Sequence, residues 1–133
     1  MALLFIFCIA STANAANFVE IHRDDNFIIY LELDSFQNKG DYATCWTKLI
    51  PRGKFLERQN KLNKKNVSHF MTFDAYKLNE FQIQLLQAIV YFKDGGNNTL
   101  YSSNLLANKW EEVVPGSIAE AVWKSVRNIA KYK

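Results

Sequence analysis

The chain has 133 residues, 49% of them apolar and 14% aromatic, enough for one compact core and too few for two ordinary domains. Sixteen Lys and Arg against 13 Asp and Glu leave a net charge of +3, too slight an excess to define a partner unless the charges cluster. Residues 1–15 carry no charged side chain, and Ala2 to Ala10 form an apolar run too short to span a bilayer. Ala13-Asn14-Ala15 supplies the small-x-small pattern that signal peptidase accepts, so 1–15 read as a secretory signal cut before Ala16, leaving 16–133 as one exported domain. The run departs from an ordinary signal in lacking Lys or Arg ahead of it. A buried N-terminal strand or helix is the competing reading, but the segment shows neither alternation nor an amphipathic face. Cys8 is flanked by Phe7 and Ile9, unlike a lipoprotein cysteine, which follows a small residue and precedes polar ones. No later stretch approaches the roughly 20 apolar residues of a membrane-spanning helix.

From Asn17 onward the period is two. Phe18, Glu20 and His22 alternate with Val19, Ile21 and Arg23 in a first strand, Asp24-Asp25-Asn26 makes a polar turn, and Phe27 to Leu33 is the second strand of a hairpin. Asn38-Lys39-Gly40 is the next turn. Asp41 to Ile50 follows as a strand with Tyr42, Thr44, Trp46 and Lys48 on one face and Ala43, Cys45, Thr47 and Leu49 on the other, ended by Pro51-Arg52-Gly53. Cys45 is the only cysteine after the signal, so the exported domain makes no intrachain disulfide. Its place in an apolar strand points to a buried, inert thiol more than to a reactive one or an intermolecular bridge.

Lys54 to Asn66 is polar without a clear period, either a solvated loop or a short irregular helix. Strands resume at Val67 to Tyr76 and Phe81 to Phe92, the second long enough to hold a bend or bulge near Leu85-Leu86-Gln87. Lys93 to Asn98 is the strongest hairpin turn in the chain, with its return strand at Thr99 to Leu106. The C-terminal helix is the best-specified element: Ser117 caps its first turn, Glu120 stands three residues later, and Ile118, Val122, Val126 and Ile129 recur at helical spacing beside Ala121 and Ser125. Lys124, Arg127, Lys131 and Lys133 complement the negative end of the helix dipole. About six antiparallel strands packed by one C-terminal α-helix define an α+β domain.

These features, in this order, resemble the surface-adhesin protein E family of bacteria. The similarity runs from Asn17-Phe18-Val19 through Tyr30, Asp34-Ser35-Phe36, Gly40, Trp46, Phe73-Asp74 and Tyr91 to Gly95. Its specific part is Trp110 followed by Val114-Pro115-Gly116-Ser117, Glu120 and Val126. The resemblance implies an exported antiparallel sheet with a helix packed on it, and Trp46, Trp110, Pro115, Gly116, Ser117 and Glu120 as structural residues of the motif. It also implies binding of host extracellular-matrix or serum proteins, or a periplasmic or surface role beside another envelope protein. Members commonly carry a cysteine after the Phe-Asp pair and another late in the C-terminal helix, which suggests a disulfide from helix to sheet. Here those places hold Ala75 and Arg127.

A hydrolase or transferase needs a nucleophile, a base and an orienting group in one pocket. His22 and His69 are the only histidines, each in a strand pattern, and no motif surrounds any Ser, Cys or Asp, so a non-enzymatic domain without metal or cofactor is expected. Gly95-Gly96 precedes a strand, whereas a phosphate-binding loop opens a helix. The concentrated charge lies in Arg52, Lys54, Arg58, Lys61, Lys64 and Lys65, against the single acid Glu57. This segment is the candidate partner-binding surface for an acidic protein, glycosaminoglycan or lipopolysaccharide, with a merely solvated loop as the blander reading. Nucleic acid is disfavoured by export and by the lack of interleaved aromatics other than Phe55. The Tyr42 and Trp46 face is a candidate homodimer surface, unless these aromatics fill the core under the helix.

Overall fold

The computed structural model describes residues 17–103 and 109–133; the expected signal at 1–15 and the end of the last hairpin strand lie outside them. Eight strands form one antiparallel sheet: β1 (Phe18–Arg23), β2 (Phe27–Glu32), β3 (Gln37–Asn38), β4 (Tyr42–Pro51), β5 (Val67–Lys77), β6 (Gln82–Phe92), β7 (Asn97–Ser102) and β8 (Glu111–Glu112). The order across the sheet is β1-β2-β4-β5-β6-β7. The two-residue β3 pairs with β4 and β8 with β6, beyond the ends of β2 and β7 respectively, so the sheet keeps six lanes. The α+β class and six-lane sheet expected from the alternation are therefore present, and β3 and β8 are additions too short to show a period.

The alternation also assigns the faces. On β4 and β2, Ala43, Cys45, Ile29 and Leu31 join Tyr76 of β5 in the main core, and the C-terminal helix α2 (Ile118–Ala130) closes it with Val122, Trp123 and Val126. The hairpin between β6 and β7 turns on Gly95, at φ +97°, with Phe92 N–H donating to Gly96 O at 2.8 Å. The expected bulge in β6 is there: Phe73 pairs with Gln87 but Asp74 with Leu85, leaving Leu86 as the extra residue.

Two expectations left alternatives open. Of the two readings of residues 53–63, a solvated loop or a short irregular helix, the structure has a helix, and a regular one of 11 residues, α1 (Gly53–Asn63). Gly53 opens it at φ +51°, where a Cβ would stand a tight 3.1 Å from Asp25 O, so glycine is favoured at this junction. Leu56 packs with Val67, Val90 and Phe92, placing α1 on the same side of the sheet as α2. The second concerns Tyr42 and Trp46. They do not fill the core under the helix; Ala43 and Cys45 on the opposite face do.

Helix α2 begins as the spacing implied. Ser117 Oγ accepts from Glu120 N–H at 3.3 Å, and the Glu120 carboxylate reaches back to Gly116 N–H, one residue ahead of the cap. Gly116 makes this exchange at φ +79°. Trp123, absent from the expected stripe, lies edge-on to Phe81 at 4.8 Å and donates its Nε1–H to Lys77 O at 2.8 Å. Lys133 Nζ to Leu33 O, at 3.1 Å, ties down the far end. Arg127 is exposed with its guanidinium 5.4 Å from the Trp123 ring, while Ala75 alternates with Tyr76 and so points to the face away from α2. A staple between these two positions has no path in this chain. The polar and aromatic contacts just described hold the helix instead.

Candidate surfaces and the family they define

The six basic positions divide into two groups. Lys54, Arg58 and Lys61 are exposed and sit at i, i+4 and i+7 of α1, on one outward stripe of a helix about 16 Å long. Lys64 follows at the C-cap, past the end of the stripe, exposed and in the left-handed conformation at φ 56°. Arg52 and Lys65 hold structure instead. The Arg52 guanidinium donates to Asp24 O at 3.0 Å, and Lys65 Nζ lies 3.6 Å from the Asp94 carboxylate and 5.1 Å from the Phe92 ring centroid. Beside the cationic stripe, Leu62 is 76% exposed. An exposed leucine next to three cations combines long-range attraction with a small apolar contact.

The second surface is the sheet face away from both helices. Trp46 and Phe73 meet there with ring centroids 5.2 Å apart, Phe18 and Tyr30 at 6.4 Å, and His69 stacks on Tyr91 at 4.7 Å with planes 7° apart. Lys48 Nζ lies 5.2 Å above the Phe18 ring. Most of these side chains are half-buried by one another, and among the described residues no helix covers them. Trp110 lies at one end of this face, 6.1 Å from Tyr42 and 5.3 Å from Lys77 Nζ. The motif tryptophans Trp46 and Trp110 thus belong to the open face, and Pro115, Gly116, Ser117 and Glu120 to the start of α2.

Among the described residues, His22 and His69 each make a local side-chain contact. His22 Nε2 and Asp24 Oδ2 are 2.8 Å apart in the first hairpin, and Asp24 also accepts from Asn26 and Phe27 N–H at 2.7 and 2.9 Å. The bond to His22 and then these backbone bonds hold the Asp24 carboxyl below its usual range. His69 has its Nδ1 2.9 Å from Ser68 Oγ, and burial, followed by the charge of Lys48, lowers its pKa. Burial pushes the Cys45 thiol up to about 12, with the nearby acids Asp74 and Glu32 adding to it, so it is an inert core thiol as its strand pattern suggested. Among the described residues no three His, Cys, Asp or Glu side chains are grouped to hold a metal ion, and no helix is long and apolar enough to cross a membrane.

Among the described residues, an antiparallel sheet carries two helices on one face, the first of them cationic, and no helix on the other, a small α+β module defined by its surfaces. The family model of surface-adhesin protein E matches residues 18–126, from β1 to the last core residue of α2, and the chain belongs to that family. Neither the curated proteins nor the solved structures contain a match to it. The matched span includes the whole sheet, α1 and the Trp110 to Val126 segment. The family points to a surface or exported protein that binds other proteins.

Proposed function

We propose that this chain is an exported, non-enzymatic binding domain whose cationic helix α1 engages an acidic partner outside the cell, such as a host matrix or serum protein. The supporting observation is the outward stripe of Lys54, Arg58 and Lys61 with exposed Leu62, on the solvent side of a helix that the core holds by its other side. Such a stripe raises the rate of encounter with an acidic surface and makes it fall with added salt. Export rests on the expected signal at 1–15 and on the family. Protease treatment of intact cells tests location: the domain is digested if it is displayed, whereas protection until the outer envelope is broken removes the host-binding reading. With the purified domain, changing Lys54, Arg58 and Lys61 together to Ser weakens capture of an acidic matrix protein at least tenfold at low salt. Unchanged capture removes α1 from the function.

The open aromatic face favours a second reading, in which the domain pairs with another copy or an envelope partner across Trp46 and Phe73. Sedimentation of wild type against Phe73→Lys separates the two: a dimer that the substitution dissolves supports pairing through this face, and a monomer at all concentrations leaves the cationic helix as the functional surface.

A further inference from the structure

Between α1, α2 and the sheet lies a cavity of about 370 Å³, in the range of small-molecule sites. Its walls are mainly apolar: Leu49, Phe55, Phe70, Ile83, Ile118 and Val122. Its polar groups are few: Gln59 on α1, and the rest on the sheet floor. Asp74 is buried and accepts from Thr72 Oγ1 at 2.7 Å, and the Tyr76 hydroxyl stands 3.4 Å from Thr47 Oγ1. All four of these residues line the cavity. Among the described residues no Lys or Arg forms an ion pair with Asp74. A carboxylate offers about four lone-pair sites, more than the hydroxyls of Thr72 and Tyr76 fill, and a buried acid without a cation is costly in the free protein.

We propose that this cavity binds a small apolar amine, its ammonium group on the Asp74 carboxylate and its hydrocarbon body against Leu49, Phe55, Phe70 and Ile83. The choice of cation follows from charge complementarity. A neutral alcohol leaves the acid without a counter-charge, and a carboxylate sets two negative groups together. No other lining group changes charge near neutrality. Cys45, the cross-strand neighbour of Asp74, stays protonated, as does Tyr76, whose pKa burial raises well above the usual phenol value. From the other side, α1 contributes Phe55 and the neutral Gln59, α2 contributes Ile118, Ala119 and Val122, and β6 contributes Ile83.

The test titrates residues 16–133 with hexylamine, 1-hexanol and hexanoate at equal ionic strength, following backbone amide and methyl NMR shifts. Hexylamine is expected to shift Asp74, Thr72, Ile83, Ile118 and Val122 in one saturable process, with hexanol and hexanoate at least tenfold weaker, the value of one charge-assisted hydrogen bond. Because burial raises the Asp74 carboxyl to about 6, hexylamine affinity holds from pH 7 to 9 and falls as pH drops through about 6, while hexanol affinity stays level. Asp74→Asn lowers hexylamine affinity on the order of tenfold and leaves hexanol unchanged. Equal affinity for amine and alcohol, a flat pH profile or shifts away from the cavity overturns the proposal. The first two need only the wild-type chain, so they decide the matter even if the Asn variant does not fold.

Discussion

The two helices lie on the same face of one sheet and are held to it by different means. Helix α2 has a side-chain cap and three buried residues, Val122, Trp123 and Val126. Helix α1 has no side-chain cap, no fully buried residue and a lysine in the left-handed conformation at its end. Its inward side is half polar. Asn60 Oδ1 accepts from Val67 N–H at 2.7 Å and Asn63 Nδ2 donates to Gln59 O at 2.8 Å, where an ordinary packed helix would place apolar groups. The first helix is thus fastened to the sheet through the Asn60 bond and two apolar residues, Phe55 and Leu56, and the second through a continuous apolar stripe. A helix fixed by few groups leaves its outer side available for a partner, and one fixed by many serves the core.

The sharpest contrast is expected from aromatic truncation. Trp123→Ala removes a buried indole, its bond to Lys77 O and its contact with Phe81, and should cost about 3–5 kcal/mol. Phe55→Ala on α1 removes a half-buried ring that touches Phe27 at 5.6 Å and should cost roughly half as much. Urea unfolding of the two variants measures the difference, and equal losses would mean that α1 is as deeply fastened as α2.

The floor between the helices gives the next effect. Asp74 is raised from 3.8 to about 6 mainly by burial, so the folded state holds its proton more tightly than the unfolded chain does. Stability from this group is therefore full below about pH 4 and is lost as pH rises through 6, a loss of about 3 kcal/mol. Asp74→Asn does not titrate, so its stability relative to wild type should rise by about that much between pH 3.5 and pH 8. Wild type and variant unfolded in urea at both pH values isolate Asp74 from the exposed acids. A difference that does not move with pH would mean that water reaches the carboxylate and the cavity floor is wet.

These contrasts also explain what the sequence made legible. Ser117, Glu120 and the Ile118, Val122, Val126 spacing announced α2 because its cap and its contact face are both written in side-chain type. Trp123 was overlooked because it flanks that stripe, and only the sheet's position brings Phe81 and Lys77 O to it. Helix α1 was only one of two readings, beside a solvated loop, because Gln59, Asn60 and Asn63 occupy inward positions and read as solvated. A signal was available in Phe55, Leu56, Gln59, Asn60 and Asn63, whose spacing is helical once inward polar groups are allowed. Lys54, Arg58 and Lys61 were visible as a basic segment but not as one stripe, which only the helix makes them. Asp74 stood in the same alternating set as Phe70, Thr72 and Tyr76, an acid on a core-facing row. Its surroundings needed the pairing of β4 with β5, which sets it beside Cys45, and the arrival of both helices above it.

Smaller effects sharpen the comparison at the helix ends. Ser117→Ala removes the side-chain acceptor of Glu120 N–H, leaving it only the Ser117 carbonyl at 3.2 Å, and should cost about 1 kcal/mol, while α1 has no equivalent cap to lose. The reverse holds at the C-terminal end of α1. Lys64 occupies φ 56° and ψ 27°, a conformation that strains a side chain bearing Cβ and suits glycine. Lys64→Gly relieves that strain, but it also frees the unfolded chain, whose greater entropy offsets much of the gain. The net expectation is a stabilisation of about 0.5 kcal/mol, read as a small rise in the urea midpoint without a change in slope. The substitution leaves Lys54, Arg58 and Lys61 in place, so capture of an acidic partner should hold or improve slightly as the end of α1 is better fixed. Weaker capture in a variant of raised stability would instead identify the Lys64 charge as part of the contact, extending the cationic stripe one residue past the end of the helix.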